Sequence, residues 1–121
     1  MRTIIAGSRT INDPFELDAA IEASGFEITE IVSGGAQGVD SMGLNHARAN
    51  NIPVKIFVPD WKTYGKAAGP IRNTEMADNA DALILVWDGK SRGSADMLNK
   101  AQDKGLKVYV HIIKQENEDE C

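Results

Sequence analysis

The sequence predicts an α/β fold: a five-stranded parallel sheet between two layers of helices. Five short, apolar, β-branched runs alternate strictly with four runs whose apolar residues recur at helical spacing. The strand runs are apolar almost throughout, as strands covered on both faces are. Glycines follow several of these runs, where the chain must turn toward the next helix.

The first strand is Arg2 to Ala6 and ends at Gly7-Ser8-Arg9. The first helix is expected from Asp13 to Ser24, with Asp13 as N-cap, Pro14 at the first helical position and Gly25 closing it. Leu17, Ala20, Ile21 and Ser24 form its inner face. The second strand is Ile28 to Val32. The second helix runs from Gln37 to Asn50, with Val39, Met42, His46 and Ala47 on one side. The third strand, Val54 to Val58, leads into a long connection from Pro59 to Gly69, and the third helix follows from Pro70 to Asn79. The fourth strand, Ala82 to Trp87, is the most apolar run. The fourth helix spans Gly93 to Lys104 with Met97, Leu98 and Ala101 inward, and the fifth strand is Lys107 to Ile112. Right-handed crossovers reduce the topologies to a Rossmann-like αβα sandwich of order 3-2-1-4-5. Ligands of such sheets bind beyond the carboxyl ends of the strands where the order reverses, here between strands one and four.

The 121 residues suffice for one domain, expected over residues 1–114, with an acidic tail at 115–121. Apolar content of 42% and charged content of 26% are ordinary for a globular chain. No apolar run approaches the roughly 20 residues of a membrane span. The chain opens directly on a strand without a signal-peptide core, and its one cysteine is Cys121. Disulfides and cysteine-based metal sites are therefore not expected, and the cytoplasm is the expected compartment. His46 and His111 have no metal-ligand spacing, and no metal or cofactor is expected. A net charge of −5 disfavours nucleic acid as a general partner. Six of the thirteen cations (Arg9, Lys62, Lys66, Arg72, Lys90 and Arg92) nevertheless lie in or beside loops, which suits a small anionic ligand.

Four loops carry the chemistry. Gly7, Ser8 and Arg9 offer close backbone approach, a hydroxyl and a guanidinium, or else a plain strand-end turn. Ser33, Gly34, Gly35, Ala36 and Gly38 enter the second helix and offer backbone N–H groups to an anion. Asp40 either bonds a ligand hydroxyl or offsets the helix dipole. The loop lacks the Gly-Lys-Ser/Thr of a Walker A motif. In the long connection, Trp61 and Tyr64 offer stacking surfaces, while Asp60, Lys62, Lys66, Arg72 and Asn73 offer polar groups. A cation in the first turn of a helix opposes the dipole, and Arg72 there points to an anionic partner. Asp88, Gly93 and Ser94 flank the start of the last helix. Glu75 and Asp96 are acid/base candidates, or solvated helix carboxylates.

Together, Ala6-Gly7-Ser8-Arg9, Ser33 to Asp40, Asp60-Trp61 with Gly69 to Asn73, and Gly93-Ser94 resemble the small single-domain SLOG proteins related to YspA and YpsA, over residues 1 to about 112. The resemblance implies a Rossmann-like domain that binds a nucleotide or nucleotide-derived ligand, such as ADP-ribose or another NAD-derived molecule. It also implies a homo-oligomer, a dimer or tetramer. The wider superfamily includes LOG phosphoribohydrolases, whose Pro-Gly-Gly-x-Gly-Thr-x-x-Glu element supplies a catalytic Glu. Here Gly93 and Ser94 fill the Gly-Thr positions, but Met97 stands where that Glu belongs. A thioether moves no proton, so binding without turnover is expected. The alternative is a nucleoside-monophosphate phosphoribohydrolase in which Glu75 or Asp96 replaces the Glu.

Overall fold

The computed structural model describes residues 1–114. The expected acidic tail at 115–121, Cys121 included, lies outside the described residues. Five strands, β1 (Arg2–Gly7), β2 (Glu30–Ser33), β3 (Val54–Ile56), β4 (Ala82–Trp87) and β5 (Lys107–Ile112), form one sheet of order β3-β2-β1-β4-β5. All four pairings are parallel. This is the expected order, with its reversal between β1 and β4. The helices are α1 (Pro14–Ser24), α2 (Val39–Ala49), α3 (Trp61–Tyr64), α4 (Ala68–Asp78) and α5 (Arg92–Asp103).

Alternation along each strand divides the core into two. Ile5 of β1 packs with Ile31, Ile84 and Val86 against Leu17 and Ala20 of α1 and Val39, Met42 and Ala47 of α2. Ile4 and Ala6 face the other way, with Val32, Leu83 and Leu85, against Met76 and Ala77 of α4 and Met97 and Ala101 of α5. At the amino ends of the central strands, Asp81 accepts from the backbone N–H of Arg2 at 2.8 Å and from its guanidinium at 3.2 and 3.0 Å. Those bonds hold the Asp81 carboxyl down at about 2.

Several boundaries differ from the sequence expectation. β2 starts at Glu30 rather than Ile28: β1 itself begins only at Arg2, whose ladder partner is Glu30, and the Thr29 N–H bonds the Met1 carbonyl just ahead of it. α2 starts at Val39 rather than Gln37, because Gly38 (φ 74°, ψ −125°) takes a conformation no helix continues. The expected strand to Val58 leaves the sheet after Ile56. The connection that follows is largely helical: Asp60 caps α3 by accepting from the Thr63 N–H, and a 3-10 turn at Gly65–Ala67 leads into α4. α4 therefore starts at Ala68, two residues before the expected Pro70, which is tolerated within a first turn. Capping of α1 is as read: Asp13 accepts from the Phe15 N–H and Gly25 closes the helix at φ 67°.

At the carboxyl end of β1 the elements converge closely. A Cβ on Gly7 would stand 2.8 Å from Cγ2 of Val39 and collide with the carbonyl of Val86, so β1, β4 and α2 meet where only glycine fits. Gly7→Ala is expected to lower the unfolding free energy in urea by about 1–3 kcal/mol through overpacking. Gly93→Ala, whose Cβ enters open space in the first turn of α5, is the control and should be neutral or stabilising by up to about 1 kcal/mol. Equal midpoints for Gly7→Ala and the unmodified protein would contradict this packing.

Candidate functional site

The loops after β1 and β4 and the starts of α4 and α5 enclose a cavity of about 630 Å³ at the switch point. This lies within the roughly 300–1,000 Å³ usual for small-ligand pockets. Of the residues read from the sequence, Gly7, Ser8, Arg9, Ala36, Asp40, Trp61, Lys66, Arg72, Asn73, Asp88, Gly93, Ser94 and Asp96 line it. Ser33, Gly34, Gly35, Gly38, Asp60 and Lys62 do not line it, and neither does Glu75. Glu75 is exposed, about 150° round α4 from the face that buries Asn73, Met76 and Ala77. Asp60 is engaged as the α3 cap.

The glycine loop was expected to offer its amides to a ligand. Instead, Gly35 donates to the Ser33 hydroxyl at 3.1 Å, and Ala36 donates to Asp40 Oδ2 at 3.2 Å. The loop is folded around its own carboxylate. Asp40 is only 6% exposed, and burial pushes its carboxyl above the ordinary value, against the pull of the Ala36 amide and of Arg72 and Arg9. The glycines serve this enclosure. A Cβ on Gly38 would meet the backbone of Ser8 and Arg9, and one on Gly34 would stand 2.8 Å from Cζ of Arg72 and 2.9 Å from Oδ2 of Asp40.

Arg72 reaches across from α4. Nη1 donates to the Gly34 carbonyl at 2.9 Å and Nε to Oδ1 of Asn73 at 3.0 Å. Burial pulls the guanidinium below its usual value while Asp40 opposes that shift. Because α4 begins at Ala68, Arg72 lies beyond its first residues, and the dipole argument made for it from the sequence does not hold. That argument applies instead to Arg92, the first residue of α5, which also lines the cavity. In the sequence Arg92 is one cation among six in or beside loops, and its place immediately before Gly93-Ser94 is the signal that distinguishes it.

The other side is built from β1 and β4. Ser8 is buried, and its Oγ accepts from the Asp88 N–H at 3.0 Å. Asp88 in turn accepts from the N–H groups of Lys90 and Ser91 at 2.8 and 2.9 Å, which hold its carboxyl below the usual range. Asp88 therefore shapes its own loop. No side chain caps the N-terminus of α5, and Arg92, Gly93 and Ser94 all border the cavity. Asp96 accepts from Asn73 Nδ2 and from Lys100. The apolar wall comprises Ala6, Pro70, Met76 and Met97, with the half-exposed Trp61 at the mouth.

Four cations, Arg9, Lys66, Arg72 and Arg92, border this cavity, and among the described residues none is within ion-pair distance of a carboxylate. Of the three bordering carboxylates, Asp96 is paired with Lys100. The cavity is thus locally cationic in an acidic chain, and apolar side chains and a helix N-terminus both border it. Such a site suits a ligand that is part anion and part flat ring.

Comparison with known proteins agrees with this architecture. A family model described as YAcAr, the YspA, cpYpsA-related SLOG family, matches residues 1–64. The Gene 61 protein of Mycobacterium phage D29 is 30% identical over 117 residues, covering 88% of this chain and 93% of that protein. The X-ray structure of DNA processing protein A (DprA) from Streptococcus pneumoniae superposes with a TM-score of 0.69 at 20% identity, over 90% of this chain. This chain spans 49% of that structure's length, and the likeness is one of fold. No described helix is long and apolar enough to cross a membrane.

In a carboxyl-resolved NMR titration, Asp40 is expected to release its proton above the ordinary aspartate value and Asp81 at about 2. Arg72→Met should move Asp40 further upward by removing a nearby positive charge. For Asp40 the folded value exceeds the unfolded one, so its contribution to stability is full below the unfolded value and is lost as pH rises through the folded one. Asp81 has the opposite sign, its contribution being lost as pH falls toward about 2. An Asp40 that titrates below the ordinary value would contradict the enclosure.

Proposed function

The chain belongs to the YspA, cpYpsA-related SLOG family, and from that premise we propose that it binds a phosphate-bearing nucleotide or nucleotide-derived molecule without cleaving it. The observation that carries this reading is the set of four cations around one cavity, Arg72 beside Asp40 and Arg9, Lys66 and Arg92 outside any ion pair among the described residues, next to the uncapped start of α5. Phosphate oxygens are the natural partners of Arg9, Arg92 and the α5 amides. The wall of Met76, Met97 and Pro70 with Trp61 at the mouth suits a base, and the size accommodates a mononucleotide or a larger ADP-ribose-like molecule.

Binding without turnover is supported by the state of the groups that stand at or near the LOG glutamate position. Met97 is buried and has no proton to move. Asp96 is engaged by both Asn73 and Lys100, and Glu75 faces away from the cavity. A protein with this site senses, carries or sequesters its ligand. Nucleic acid is a less suitable partner for a chain of net charge −5, and self-association is expected alongside ligand binding.

Titration calorimetry with AMP, adenosine and ADP-ribose tests the reading. The phosphate-bearing compounds should bind and adenosine should bind far more weakly. Arg9→Met and Arg72→Met should each weaken AMP binding by about tenfold or more, the loss of a charge-assisted hydrogen bond. Chromatography of AMP after prolonged incubation should show no free adenine. Unchanged affinity in both variants would remove the proposed pocket, and free adenine would replace the binding reading with phosphoribohydrolase activity.

A further inference from the structure

Resting on the nucleotide reading of the cavity, we propose that Asp96 is a positioning residue for anion binding. Through Asn73, it fixes which way the Arg72 guanidinium is held. A carboxylate beside a cationic cavity would ordinarily weaken the binding of an anion. The hydrogen bonds around Asp96 give it the opposite effect.

A single chain of bonds runs from α5 through α4 to the loop after β2. Lys100 Nζ donates to Asp96 Oδ1 at 3.1 Å and Oδ2 at 2.8 Å, and to the Pro70 carbonyl at 2.7 Å. Asn73 Nδ2 donates to Asp96 Oδ2 at 2.9 Å and to the Gly93 carbonyl at 3.3 Å. Asn73 Oδ1 accepts from Arg72 Nε, and Arg72 Nη1 donates to the Gly34 carbonyl. Asn73 is 4% exposed, so water does not readily substitute for these partners.

The polarity of this chain is consistent from end to end, with donor-only Lys100 and Arg72 at its two ends and the acceptor-only Asp96 and Gly93 carbonyl both facing the Asn73 NH₂. Lysine only donates, and a carboxylate only accepts. The Asn73 amide must then turn its NH₂ toward Asp96, which leaves its oxygen, and not its nitrogen, facing Arg72. With Nε and Nη1 committed inside the protein, the guanidinium is fixed in the cavity wall. Asp96 borders the cavity but makes no hydrogen bond to Arg72. It acts by accepting from the Asn73 NH₂ together with the Gly93 carbonyl, which holds the Asn73 oxygen toward Arg72.

Asp96→Asn reverses the polarity at almost constant shape. Its oxygen is claimed by Lys100 and its NH₂ faces the Asn73 NH₂, donor against donor. Turning the Asn73 amide to relieve this sets its oxygen against the Gly93 carbonyl and its NH₂ against Arg72 Nε, so either way the hold on Arg72 is disturbed. Asp96→Ala only deletes a partner, and Asn73 keeps the Gly93 carbonyl. The double variant Asp96→Asn/Lys100→Met restores the order, because without Lys100 the new amide is free to offer its oxygen to Asn73.

AMP affinity and the ¹⁵N spectrum of the Arg72 side chain, recorded on ligand-free protein, decide the matter. Asp96→Asn should lower AMP affinity by about tenfold, and more than Asp96→Ala does. The exchange-protected Arg72 Nε–H signal should be lost in Asp96→Asn, kept in Asp96→Ala and regained in the double variant. The double variant should bind AMP within about threefold of the unmodified protein. Removal of negative charge that strengthens AMP binding, or a double variant no better than Asp96→Asn, would overturn the proposal. Should Asp96→Asn not fold alone, the double variant decides by the same two readouts. If the unmodified protein binds no AMP while the Arg72 signal follows this pattern, the nucleotide reading falls and the positioning of Arg72 stands. If AMP binds and the signal is indifferent to Asp96, the nucleotide reading stands and this proposal falls.

Discussion

The close approach at Gly7 is the constraint on which the rest of the site depends. β1 and β4 run in parallel register to their carboxyl ends, and the first turn of α2 closes on the same point. Any side chain there would push Val39 or Val86 away. With the three elements in contact, the Ser8 N–H bonds the Val86 carbonyl, and the Ser8 carbonyl accepts from Val39 and Ile11. Ser8 thereby ties the loop after β1 to β4 and α2 at once.

Charge is arranged around that junction in two shells. The inner one is closed on itself: Asp40 satisfies the Ala36 amide and lies beside Arg72, whose guanidinium is bonded to Gly34 and Asn73. A buried carboxylate with a raised proton affinity is tolerable because these neighbours compensate part of its desolvation. The outer shell is open, with Arg9, Lys66 and Arg92 lacking carboxylate partners among the described residues. The inner shell gives the site its shape, and the outer one leaves it locally cationic. This division explains how a chain of net charge −5 presents a cationic cavity.

Much of this was legible in the sequence. Strict alternation of apolar strands with helices leads to the order β3-β2-β1-β4-β5, and the switch point then names the loops after Gly7 and Trp87 as the place for a ligand. What could not be read is where hydrogen bonds close. Whether the amides of Gly35 and Ala36 face a ligand or their own loop depends on the turn at Gly38, whose φ of 74° brings Asp40 back toward Ala36. The start of α4 was misplaced because Gly69-Pro70 reads as a break, yet proline fits the first turn of a helix already begun at Ala68. The outward position of Glu75 was recoverable from helical phase, given Met76 and Ala77 as the buried side.

Native mass spectrometry of the freshly purified protein, then of the protein and its Arg72→Met variant mixed with a panel of nucleotides, tests the central claim most directly. The expected spectrum holds an adduct whose mass is that of an intact phosphate-bearing nucleotide or nucleotide derivative, one per chain, and depleted in the variant. Spectra without any such adduct, or adducts equally abundant on the variant, would contradict it.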